Sequence, residues 1–135
     1  MMPSGVSGVP RIVLRAEGAA ALLVAVVLYA RLGESWWLFA ILFLAPDLSF
    51  LGYLGGARTG AIVYNAGHTL VGPLLLATAG LLLPAHVLFT FALIWVAHIG
   101  FDRLLGYGLK YAAGFGFTHL GPIGRASDAP RNLDT

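Results

Sequence analysis

The sequence predicts an all-α integral membrane protein, a four-helix bundle with a Gly- and aromatic-rich interfacial segment at its C-terminal end. Three observations carry this reading. The 135-residue chain is 59% hydrophobic and only 10% charged, with a mean hydropathy of +0.85, whereas a soluble domain carries roughly 25% charged residues. Lipid is therefore the solvent for most of it. Apolar stretches of about 20 residues, long enough to cross a hydrocarbon core, recur between turn signals along the chain. Four such spans also place the basic residues on one side: Arg11, Arg15, Arg58, Arg103, Lys110, Arg125 and Arg131 together, with Arg31 alone opposite. The positive-inside rule then puts both termini in the cytoplasm, in the cell inner membrane.

Residues 1–10 hold two Gly, two Pro and two Ser with no basic residue, and read as a disordered lead-in to an uncleaved first span rather than a signal peptide. The single domain covers 11–124, with 125–135 as a polar, disordered tail. The first span, about 11–32, carries Arg15 and Glu17 in its first two turns, with alanines suited to close helix contact. The second, 35–54, opens on Trp36-Trp37, which anchor a helix end at the headgroups. Pro46 lies inside it, removes a backbone donor and opens the helix beside Asp47. The third, 59–83, carries Tyr64, Asn65 and His68 on one face, with Gly67 and Gly72-Pro73 allowing a neighbour close. The fourth, 85–105, contains His98 and Asp102 four residues apart and so on one side of the helix. Residues 106–124 are too short and glycine-rich for a fifth span. Tyr107, Lys110, Tyr111, Phe115, Phe117 and His119 suit a segment at the interface, folded back over the bundle end.

Counting 1.5 Å per residue from the cytoplasmic helix ends puts Glu17 ~9 Å, Asp47 ~10 Å, His68 ~13 Å, His98 ~10 Å and Asp102 ~5 Å deep. Ionisable groups in apolar helices are costly, and their comparable depth predicts that they converge on one polar site facing the cytoplasm. For a shared ion, the side-chain tips should lie within ~3 to 5 Å of one another.

These residues also carry a family resemblance. Arg15-Ala-Glu17-Gly18, Ser35-Trp36-Trp37-Leu38-Phe39, Pro46-Asp47 with Gly52-Tyr53, Tyr64-Asn65 with His68, and His98-Ile-Gly-Phe-Asp102-Arg103, continuing to Tyr111 and closing on Thr118-His119-Leu120-Gly121, resemble the bacterial membrane protein family called domain of unknown function 4260. The resemblance implies an integral membrane protein over about 11–124. It implies no activity.

Composition excludes several function classes. The chain has no cysteine, hence no disulfide, thiolate ligand, iron–sulfur cluster or cysteine nucleophile. The formal charge of +2, without a basic run, gives no footprint for nucleic acid. Ser49 lacks a nucleophile-elbow context. Three readings remain. Asp47, His68, His98 and Asp102 form a ligand set for zinc, manganese or iron(II), with Asn65 or Tyr64 behind it and His119 or Glu17 as a further ligand. A metal-bound water would extend that site to hydrolysis, with Glu17 or a free carboxylate as base. Alternatively, Asp47 beside the Pro46 break and the two histidines form a proton or cation path, which four helices would serve as a homodimer. In the third reading the polar residues only specify helix packing in an assembly protein.

Overall fold

The computed structural model describes residues 5–124 and is an all-α four-helix bundle. The helices are α1 (Gly8–Leu32), α2 (Trp36–Phe43), α3 (Ala57–His68), α4 (Val71–Leu82) and α5 (His86–Leu105), with a 3-10 segment, Ala45–Gly55, after α2. A two-residue antiparallel pair, β1 (Phe117–Thr118) and β2 (Gly121–Pro122), follows α5. These elements compose four spans long and apolar enough to cross a membrane: Gly8–Leu32, Trp36–Gly55, Ala57–Leu82 and His86–Leu105. The expected lead-in is helical from Gly8, and the Val6 N–H bonds the His119 carbonyl at 2.6 Å. The expected tail, 125–135, lies outside the described residues.

The outward faces are largely apolar, and polar side chains are buried in the interior. Leu54, Trp37 and Leu82 are 88%, 82% and 79% exposed, whereas His68 and His98 are 0% and 2%. That distribution inverts a water-soluble fold and matches lipid as the surrounding medium.

α5 is the central element, packed against α1, α2 and α4. Its closest neighbour is α1, and two facing glycines set the distance. A Cβ on Gly100 would lie 2.6 Å from the Gly18 carbonyl oxygen, and one on Gly18 would lie 2.3 Å from Arg103 Cβ. Backbones can approach this closely only where side chains are missing. At the other end of the bundle Tyr29, Leu93 and Ile94 form a buried cluster with Leu38, Phe39, Leu42, Phe43 and Phe89 around it. Tyr29 Oη donates to the Ser35 carbonyl at 2.6 Å and its ring meets Trp36 and Phe39, which pins the turn between α1 and α2.

Two spans are broken, each at a proline. Pro46 carries no N–H and its ring displaces the carbonyl a turn earlier. The helix accordingly stops at Phe43 and the chain tightens into the 3-10 segment. The third span was expected as one helix over 59–83 and is instead two, α3 and α4, interrupted at Thr69 and Leu70. Pro73 explains this, because in a continuous helix its ring would collide with the carbonyl of Thr69. Thr69 turns to φ −85°, ψ 145°, and Pro73 falls in the first turn of α4, where a missing N–H costs nothing.

Replacing Gly100 by Ala should push α1 and α5 apart and destabilise the protein by about 1–3 kcal/mol. Ala20→Leu, on the exposed side of α1, should change little. Thermal unfolding of the detergent-solubilised variants measures the difference.

Candidate metal centre

The two breaks and the unbroken α5 place four side chains together. Asp47 follows Pro46 at the first break, His68 ends α3 at the second, and His98 and Asp102 lie one turn apart on α5. One ligand-type atom from each lies within 4.8 Å of the others. His98 Nε2 is 3.2 Å from Asp47 Oδ1 and 3.4 Å from Asp102 Oδ2. His68 Nε2 is 3.5 Å and 3.3 Å from the same two oxygens. The two Nε2 atoms are 3.2 Å apart.

The breaks also orient the imidazoles. In a continuous helix the Phe43 carbonyl would accept from the Asp47 N–H, but that N–H bonds the Leu44 carbonyl at 3.1 Å. Phe43 O is left for His98, whose Nδ1–H donates to it at 2.5 Å. His68 Nδ1–H donates to the Tyr64 carbonyl at 2.9 Å, with Ser49 Oγ at 3.3 Å and the Tyr64 ring stacked on it at 3.8 Å. A carbonyl only accepts, so in each neutral imidazole the proton sits on Nδ1 and the Nε2 lone pair faces the cluster. Two lone pairs and two carboxylates then point at one another. Four acceptors cannot satisfy each other, and a positive charge, metal ion or proton, must lie among them.

The second break is closed by α5 as well. Trp95 Nε1 donates to the Gly67 carbonyl at 2.7 Å and an Arg103 amino group to the His68 carbonyl at 2.9 Å. Both carbonyls lost their helical partners at Thr69–Leu70.

The carboxylates face a cavity of about 630 Å³, also lined by Phe50, Tyr64, Tyr107, Lys110, Phe115, Gly116, Ile123 and Gly124. Its roof is the segment after α5, folded over the end of the bundle. Arg11 Nε donates to the Leu120 carbonyl at 2.6 Å, Arg15 Nε to Leu104 at 2.8 Å and Arg103 to Tyr107 at 2.9 Å. Lys110 pairs with Thr118 in a β-bridge. Its ammonium lies 3.8 Å from the Phe115 ring centre and 5.1 Å from that of Tyr64. Burial pushes this lysine down to about 8, so it stays largely protonated at neutral pH.

The remaining candidates lie elsewhere. Glu17 is exposed on α1, outside the group of four. His119 Nδ1 accepts the Leu109 N–H at 2.8 Å, so its lone pair is committed to the roof; burial and Arg103 lower its pKa. Asn65 does not support His68. Its amide pairs with both backbone groups of Lys110, at 2.9 and 2.7 Å, and ties the roof to α3. Sequence reasoning had no role for Trp95, gave Pro73 only the close approach of a neighbour, counted Arg103 only toward topology, and placed Lys110 at the interface. That Lys110 is the only lysine in the chain was the one available signal.

The family described as Domain of unknown function (DUF4260) matches over residues 11–123. No curated protein and no solved structure matches the chain.

Asn65→Ala should leave the Lys110 N–H and carbonyl unpaired at a cost of about 1–3 kcal/mol. Faster amide hydrogen exchange across residues 107–123, with α1 and α5 unaffected, is the expected result.

Proposed function

The chain belongs to this DUF4260 family, which carries no assigned activity, and from the site itself we propose that Asp47, His68, His98 and Asp102 bind one divalent metal ion, zinc by preference. One observation carries the reading: both imidazoles are held by carbonyls with their Nε2 lone pairs turned toward two carboxylates. A tetrahedral ion with bonds of about 2.0–2.1 Å has ligand-to-ligand edges of about 3.3–3.4 Å. Five of the six separations within the group run from 3.2 to 3.5 Å, and the sixth, between the two carboxylates, is within 4.8 Å. The Nδ1–H bonds to backbone supply the outer-shell support that fixes metal-ligating histidines.

The site opens to the cavity on its carboxylate side, and this supports metal-dependent hydrolysis as the chemistry. A bound metal ion supplies Lewis acidity and a water of lowered pKa. Asp47, with 39% of its side chain exposed against 13% for Asp102, is the carboxylate freer to exchange between ligand and general base. The contact between the two Nε2 atoms favours one other reading, a proton shared in the cluster as part of a cation path.

Protein purified in neutral detergent and dialysed against trace zinc should hold one equivalent by elemental analysis. His98→Ala should lose it, at a cost in affinity far above tenfold, because one of four ligands is gone. Metal-free wild type showing proton-linked flux in liposomes would instead establish the proton path.

The basic asymmetry, together with the contact between the start of α1 and the segment after α5, supports termini in the cytoplasm. Arg11 and Val6 both bond the roof, and among the described residues Arg11, Arg15, Arg58, Arg103 and Lys110 lie on that side of a four-span topology, with Arg31 opposite. A reporter that works only in the cytoplasm, fused after Thr135, should be active, and one that requires the periplasm should be silent.

A further inference from the structure

Lys110 is not explained by the metal site. Its residue is only 5% exposed, and among the described residues its ammonium has aromatic faces and the charge of Asp102 across the cavity, but no hydrogen bond or close ion pair. Cation–π contacts are worth about 0.5–2 kcal/mol, less than removing an ammonium from water costs. The position is built rather than incidental, because Asn65 and Thr118 clamp the backbone that carries it. The ammonium lines the same cavity as Asp47 and Asp102, and the remaining wall includes Phe50, Phe115 and Ile123. A volume of about 630 Å³ lies within the range of small-molecule sites, which are apolar with a few fixed polar groups.

We propose that this cavity binds an amphiphilic oxyanion, a phosphate or carboxylate head held between the Lys110 ammonium and the metal of the His/Asp cluster, with its apolar body against Phe50, Phe115 and Ile123. The metal half of the clamp rests on the function proposed above. Without an ion, the two carboxylates would repel an anionic head, so binding depends on the metal as well as on the lysine. The head can belong to a lipid or to a water-soluble anion.

Calorimetry on the full-length protein in neutral detergent tests this, using inorganic phosphate and dihexanoyl phosphatidate as probes and zinc content measured in every sample. Zinc-loaded wild type should bind both, the phosphatidate more tightly. Lys110→Met should weaken both at least about tenfold, the loss of one charge-assisted hydrogen bond, with zinc content and helical circular dichroism unchanged. Lys110→Arg should retain most of the affinity. Equal affinity for the two probes would overturn the apolar half of the proposal and point to a water-soluble anion. Zinc-loaded Lys110→Met that binds like wild type, or zinc-loaded wild type that binds neither probe, overturns the proposal while the metal site stands. Wild type that holds no zinc overturns the metal site. In that protein, phosphate binding that still requires Lys110 would support the lysine half alone, and its absence would overturn both.

Discussion

Backbone carbonyls released inside a low-dielectric bundle must find donors, and the structure depends on how this is met. Pro46 and Pro73 interrupt two of the four spans, and each unpaired group would cost several kcal/mol in lipid. α5 supplies the replacements: His98 to Phe43, Trp95 to Gly67 and Arg103 to His68. Broken helices are tolerable here because an intact one lies beside them and carries donors at the matching heights. Gly18 and Gly100 contribute by letting α1 close on the far side of α5, which keeps that helix buried and its donors away from competing lipid or water.

The same bonds prepare the polar cluster. A histidine in an apolar helix is ordinarily satisfied by whatever it meets. His68 and His98 instead spend Nδ1 on carbonyls and leave Nε2 facing Asp47 and Asp102. With both imidazoles neutral, such an arrangement holds acceptors only, which a proton or a metal ion would satisfy. The proline breaks therefore do two things at once. They bring Asp47 and His68 to a chain end where their side chains can turn inward, and they release the carbonyl that sets the His98 tautomer.

The roof bounds the space on the carboxylate side of this arrangement. Residues after α5 are held by guanidinium bonds to backbone carbonyls and by the Asn65 pairing, not by a large apolar core. Directional bonds of this kind fix position without closing the space beneath, which leaves a cavity between Lys110 and the carboxylates. Arg103 joins both functions, since one amino group holds the His68 carbonyl and the other holds Tyr107.

Much of this was legible in the residues alone. Hydropathy and span length determine four helices, because lipid leaves a chain few ways to satisfy its backbone. The i,i+4 spacing of His98 and Asp102 determines a shared face, and helix rise places Asp47 and His68 at a similar depth. The same count misplaced Glu17, since depth along the axis says nothing about rotation around it, and Glu17 faces outward on α1. The i,i+3 spacing gave Asn65 to His68, although the amide reaches a backbone 45 residues away. Only the tertiary structure decided which carbonyls the two prolines release, which α5 donors recover them, and that Lys110 sits over the cluster's cavity. Those outcomes depend on helix rotation and on contacts between distant segments, and no local pattern in the chain encodes either.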